Sequence, residues 1–484
     1  MLPNLTMKEL RQINRASATG LLLLFFTGCA VLPPPDPAEG VETSLPPSSD
    51  IEARWSEITD SERSVEAGWL ESFEDAELVT FVGEVLANNR SLEAALYNLE
   101  RAAAVARQSG ADLKPQINAN GFGLDYETFD NNLIEGDALG GSLSVSWELD
   151  VWGRVRALRA ASIATFESTE ADFIFLRYSL VAQTCIAWFT TLEARDQLDY
   201  ARDVVEVQAK TLEIVEAKKS AGEVTQKEIF QSQANLFSAQ NSLAVAELNL
   251  RNSLRALELL AGRYPSGNFA FPETEFKALG PVPAGLPSEL IERRPDLIAT
   301  RQALDARSYL VAEAKASRLP RFALTGEVGN SSADLLSLLG DNSGWSVSSA
   351  ITLPLFTGGA LKEEVKVQTA SEASALYEYG EAILTALGEV EDALSSNLWL
   401  TRQAAHLTDL LQANEGALEI SETQFLEGNL DLLSVLQSQN DVISAKTSLI
   451  SIEAALRINR VELYLALGGS FTAETYQLPV TNQP

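Results

Sequence analysis

The stretch SLSVSWELDVWGRVRA, residues 142–157, decides the fold. Leu143, Val145, Trp147, Leu149 and Val151 alternate with Ser142, Ser144, Ser146, Glu148 and Asp150. Such alternation marks a β-strand with one apolar and one wet face. Gly153 and Arg154 follow, and neither Gly nor Pro recurs until Gly222. A short two-faced strand therefore runs straight into a very long helix.

The same arrangement is written twice. A helical segment opening at Arg90-Ser91-Leu92 ends at Lys114-Pro115, with Gly121 beyond it. A second opens at Pro295-Asp296-Leu297 and ends at Leu319-Pro320, with Gly326 beyond it, 205 residues further on. Val347, Ser349, Ile351, Leu353 and Leu355 alternate with Ser346, Ser348, Ala350 and Thr352, then Gly358-Gly359 precedes another long helix. Ile229, Leu236, Leu243, Leu250 and Leu257 recur every seven residues, and Val435, Val442, Leu449, Leu456 and Leu463 do the same 206 residues later. Gly222 pairs with Gly428 and Gly262 with Gly468. The chain is an internal duplication, each copy reading helix, strand, strand, long helix, helix. A sustained seven-residue repeat means coiled-coil packing. About 65 residues of helix from Arg156 to Ser220 would span about 95 Å, too long for an ordinary globular core.

Composition narrows the function. The 484 residues carry a net charge of −31, with 67 acidic against 36 basic side chains. This argues against nucleic acid as a partner, because phosphate binding needs a basic face. At the N-terminus Lys8, Arg11 and Arg15 precede an apolar run from Gly20 to Phe26, then Thr27-Gly28-Cys29. That is a secretory signal. The small residues before a lone cysteine resemble a bacterial lipobox, which implies acylation of Cys29; an ordinary cleaved signal with an incidental cysteine is the alternative. Residues 1–28 read as signal peptide and 29–68 as a Pro- and Ser-rich tether. The first repeat spans 69–265, a linker 266–287, the second repeat 288–469 and a tail 470–484. Cys185 sits in a helical pattern and reads as a small buried apolar residue.

The other two strands begin at Pro115 and Pro320. Segments of about 9–11 residues have the length of a tilted transmembrane strand, and Trp147, Trp152, Trp345 and Phe356 lie near strand ends, as interfacial aromatics do. Polar loops are expected over residues 128–141 and 330–344. A soluble four-stranded sheet packed on helices shows the same alternation. Four strands cannot close a barrel, and an open edge in lipid leaves backbone groups unpaired. A membrane reading therefore requires oligomerisation.

At Trp147–Ala157, at Arg293-Arg294-Pro295-Asp296-Leu297 and over residues 316–329 (ASRLPRFALTGEVG), the chain resembles the TolC-like outer-membrane efflux proteins. It is most similar to the lipidated subgroup that serves tripartite multidrug pumps. The resemblance implies an α+β fold: a trimeric twelve-stranded transmembrane β-barrel, four strands per chain, continuous with a long α-helical coiled-coil barrel. It implies a homotrimer in the outer-membrane lipid, with a periplasmic adaptor (membrane fusion protein) and an inner-membrane transporter as partners. The function implied is a passive exit duct for small molecules. Ser142, Ser144, Ser146, Glu148 and Asp150 would face the lumen, and Leu143, Val145, Trp147, Leu149 and Val151 the lipid. Two rivals share these features: a protein-secretion duct of the same fold, and a periplasmic coiled-coil lipoprotein.

Catalytic constellations are absent from the sequence. His406 is the only histidine, and no zinc cluster, Walker motif or nucleophile elbow occurs. No enzyme, metal or cofactor is expected. The closed end of the duct is expected at the turns of Gly222 and Gly428. Where relatives carry an aperture Asp, nine residues after the second turn glycine, this chain has Gln437, and Gln231 in the first copy. Asp431 lies nearer the turn, where a helix N-terminal acid is also favoured by the macrodipole.

Overall fold

A computed structural model describes residues 68–130, 132–273, 276, 279–280, 293–332 and 343–470. The signal, Cys29, the tether up to residue 67, half of the linker and the tail beyond Ser470 lie outside the described residues.

The first copy comprises α1 (Ala76–Asn88), α2 (Arg90–Ser109), β1 (Gln116–Asp130), β2 (Asn132–Leu149), α3 (Arg154–Ser220) and α4 (Gln226–Leu260). The second comprises α5 (Pro295–Ala316), β3 (Arg321–Ser332), β4 (Ser343–Thr352), α6 (Ala360–Leu426) and α7 (Leu432–Ala466). The duplication is literal in length. Helices α3 and α6 each have 67 residues, and α4 and α7 each have 35. At 1.5 Å per residue the long pair span roughly 100 Å.

The long helices pack side by side. Nearer the sheet, α3 packs between α2 and α5, and α5 packs on α6. Towards the far end α3 packs on α4 and α7, and α7 on α6. The close approaches in α4 fall at small residues. Ser232, Ala239 and Ala246 are buried between the half-buried leucines of the seven-residue repeat. A small side chain at the seam lets two backbones approach, and the leucines close over it from the sides.

A dense core lies near the middle of the wall. Trp188 is 1% exposed, and its indole N–H donates to Asp75 at 3.0 Å. Its ring lies 4.6 Å from Phe271 and 5.4 Å from Phe81. Trp69 stacks on Tyr464 at 5.1 Å and donates to the Gly469 carbonyl, joining the two ends of the described chain. Cys185 is fully buried here, and burial raises its thiol pKa.

The sheet has the order β1-β2-β3-β4, antiparallel throughout. Two expectations are corrected here. Residues 128–130 and 132–141 are strand rather than polar loop: β1 and β2 stay paired out to Asp130 and Asn132. The glycines and acids of this stretch break the side-chain pattern but not the backbone ladder, which needs no particular side chain. Residues 330–332 and 343–344, expected in the second loop, are also strand. An 18-residue β2 is roughly 60 Å long at about 3.4 Å per residue, twice the hydrocarbon thickness of about 30 Å.

Candidate functional site

Register shows what the sheet presents. Residues directly opposite in an antiparallel pair share a face. Ser142, Ser144 and Ser146 lie opposite Asn120, Asn118 and Gln116 on one side, and opposite Gly329, Glu327 and Thr325 on the other. Thr325 in turn opposes Ser348, and their hydroxyls lie 2.6 Å apart. Asn120 donates to the Ser144 hydroxyl at 3.1 Å. One face is thus a continuous polar lattice. The other carries Ile117, Leu143, Val145, Trp147, Leu324, Val328, Trp345, Val347 and Ile351. Ile117, Val347 and Ile351 are about two-thirds exposed and Trp345 is 80% exposed. Among the described residues no helix covers this face. A soluble sheet would bury it; a membrane sheet need not.

The sheet's lower rim is pinned to the helices. Strand β2 ends at Leu149, so Asp150 and Val151 lie beyond it, although alternation includes them. The reason is local. The Asp150 carboxylate accepts from the Val155 and Arg156 N–H groups at 3.0 and 2.9 Å and pairs with the Arg156 guanidinium. It satisfies amide donors that α3 leaves free at its first turn. Glu148 holds Arg154 at 2.9 Å, and Arg154 also reaches Glu313 of α5 at 3.4 Å. Trp147 donates to the Leu113 carbonyl and Trp152 to the Pro320 carbonyl. Gly153 and Gly359 cap α3 and α6 with φ of +79° and +92°. The sequence signals this ring of caps and ion pairs only through Arg154 and Arg156, each six residues after an acid, Glu148 and Asp150.

At the far end both hairpins turn alike. Gly222 and Gly428 have φ of +82° and +80°. The Glu223 N–H donates to the Lys218 carbonyl, and the Asn429 N–H to the Gln424 carbonyl, each closing a Schellman turn. No atom lies within 4 Å of a Cβ built at either glycine. Gly428→Ala should therefore cost only the backbone strain of a left-handed residue, about 1 kcal/mol, seen as a modest fall in thermal unfolding midpoint with the fold retained.

Asp431 is the N-cap of α7 and accepts from the Ser434 N–H at 2.8 Å. That bond holds its carboxyl below the usual range. Gln437 is exposed on α7 and Gln231 half-buried on α4. The two tips meet through an apolar cluster of Val215, Phe425, Leu432, Val435 and Leu436, with the Lys218 ammonium 5.0 Å from the Phe425 ring centre. His406 is exposed on α6.

Known proteins share this architecture. The sequence profile of the outer membrane efflux protein family matches residues 81–263 and 286–469. The outer membrane protein OprJ of Pseudomonas aeruginosa is 30% identical over 83% of this chain and 86% of its own length. A toluene efflux pump outer membrane protein, TtgC of Pseudomonas putida, is 28% identical over 86% of this chain and 87% of its own. The open-state crystal structure of the Neisseria gonorrhoeae MtrE outer membrane channel superposes with a TM-score of 0.80 at 25% identity, covering 88% of this chain and 97% of that one. The bare apolar sheet and the long helical wall are those of an outer-membrane channel. The chain belongs to the outer membrane efflux protein family. It is an outer-membrane efflux channel, a class of duct rather than of enzyme.

Proposed function

We propose that three copies of this chain close into one conduit. The observation that carries this reading is the two-faced sheet with two open edges. Among the described residues β1 and β4 each pair on one side only, and unpaired edges in lipid are too costly to persist. Three sheets supply twelve strands, enough for a barrel. The apolar face, with Leu143, Val145, Trp147 and Leu149, meets outer-membrane lipid. The polar face, with Ser142, Ser144, Ser146 and Glu148, lines the pore; Asp150 and Val151 belong to the junction below. The helical hairpins continue the duct through the periplasm as a coiled-coil barrel, and Cys29 carries a lipid anchor.

The duct itself supplies no energy. A periplasmic adaptor (membrane fusion protein) docks at the helical end, and an inner-membrane transporter drives small molecules such as antibiotics or organic solvents into it. Reconstitution in planar bilayers tests this. The account expects discrete, passive current steps; a protein inserted in bilayers that never conducts contradicts it.

The resting end closes at the Gly222 and Gly428 turns through apolar and amide contacts around Gln231 and Gln437. Asp431 is already engaged as a helix cap. Three free carboxylates on a narrow axis would repel by on the order of 1 kcal/mol per pair in water. Gln437→Ala should accordingly raise resting conductance more than Asp431→Asn. A strong effect of Asp431→Asn beside a silent Gln437→Ala would make the acid ring the gate.

A further inference from the structure

The wall has a second polar feature, far from the sheet and from the tip. Trp188 and Arg195, seven residues apart, share one face of α3. That face is covered: Trp188 meets α1 through Asp75 and the linker through Phe271, and Arg195 donates to the Pro272 carbonyl. Half a turn around the helix, Glu193, Gln197, Val204 and Gln208 form the floor of a half-open cavity of about 820 Å³. Its sides are α4, through Asn235, Ser242 and Asn249, and α7, through Asn440 and Thr447. Alanines at 194, 201, 239 and 246 leave the room. The volume lies within the roughly 300–1,000 Å³ of small-molecule sites.

One group in this cavity is unfinished. Gln208 is 2% exposed. Its amide N–H donates to Gln439 at 3.1 Å, but its Oε1 has no partner. A buried acceptor left bare costs about 1–3 kcal/mol; the oxygen is closed off from solvent, so a ligand hydrogen-bond donor gains by pairing with it once the Gln208 side chain turns toward the cavity. The remaining lining sets the charge. It contains no Lys, Arg or His, and its one carboxylate, Glu193, already accepts from Ser451 at 2.6 Å. Tyr200 lines the cavity as a neutral phenol, its pKa pushed up to about 12 by burial and then by Glu415 and Asp203. Amides, hydroxyls and a phenol suit an uncharged molecule rich in hydroxyl groups.

We propose that this cavity is a binding station on the inner surface of the conduit for a neutral, hydroxyl-rich solute of the glycoside or polyol type. The proposal rests on the conduit reading. In that reading the face of α3 covered by the start of α1 and by Phe271 and Pro272 is taken as the outer one. The opposite, uncovered face is then the lumen side, and a passing solute meets the cavity before it reaches the barrel.

Titration calorimetry tests it on the full chain, held in a detergent without a sugar headgroup, with maltotriose as the probe. Wild type should bind saturably in the millimolar range. Gln208→Leu should weaken binding about tenfold through the lost acceptor. Ser242→Phe, on the exposed side of α4, should block the cavity without touching the buried amides, so a folding defect in the first variant does not remove the test. No saturable binding by wild type, or binding that Ser242→Phe leaves unchanged, overturns the proposal. A preparation that conducts in bilayers yet binds no probe sinks the station alone; one that binds yet never conducts sinks the conduit.

Discussion

Trp188→Ala should destabilise the chain by about 3–5 kcal/mol, the range for removing a fully buried large aromatic side chain. The ring is 1% exposed and fills the space between α1, α3 and the linker, against Phe81 and Phe271. None of these segments can collapse far, because each is fixed elsewhere. Asn89 donates to the Leu260 carbonyl, and Arg263 pairs with Glu84. The indole N–H also feeds Asp75, whose carboxylate caps α1 through the Glu77 and Leu78 N–H groups. Loss of the tryptophan thus opens a cavity and removes one donor from a nearly buried acid. Trp188→Phe keeps most of the packing and drops the N–H, so it should cost less, about 1–2 kcal/mol. Chemical unfolding followed by tryptophan-independent circular dichroism measures both. Equal effects would mean that the hydrogen bond, not the ring, holds the layer.

Arg294→Ala should cost about 1–3 kcal/mol, because a buried guanidinium loses its charge-assisted hydrogen bonds while its partly exposed partners, Asp296 and Glu389, regain water. Arg294 is 4% exposed. Its guanidinium grips Asp296 with two bonds, at 2.7 and 3.0 Å, reaches Glu389 of α6 at 2.6 Å, and donates to the Ala466 carbonyl at 3.0 Å. One side chain therefore ties the start of α5 to α6 and to the last turn of α7. The neighbouring chain leaves no slack: a Cβ at Gly468 would meet Arg294 at 3.0 Å. Arg294→Lys keeps the charge but loses the planar fork, so it should recover only part of the loss. Full recovery by lysine in the same unfolding assay would show that charge alone matters.

Much of this architecture was legible in the sequence, for physical reasons. The duplication, the seven-residue repeats and the strand beginning at Ser142 are periodic, and periodicity survives without tertiary information. The Gly222 and Gly428 turns were legible because a left-handed residue at a helix end is most readily glycine. The long β1–β2 hairpin was not. Its outer half has no side-chain alternation, and it is held by a ladder that backbone groups supply alone. Asp150 was misplaced by one structural unit because a helix-capping acid can continue a strand's alternation by chance. The Arg294 clasp was visible as a motif but not as a device, since Glu389 and Ala466 lie about 95 and 172 residues away. The cavity around Gln208 was hidden for the same reason: its floor and sides come from three helices that only the fold brings together.

Native mass spectrometry of the chain released from detergent micelles tests the central claim most directly. Among the described residues the sheet has open edges at β1 and β4 and a bare apolar face, which neighbouring copies cover in the proposed conduit. The account predicts a species of three copies as the dominant form, with the β-sheet signal intact. A stable monomer that keeps its full β-structure in the same detergent would contradict it, because its edges would then be satisfied without a barrel.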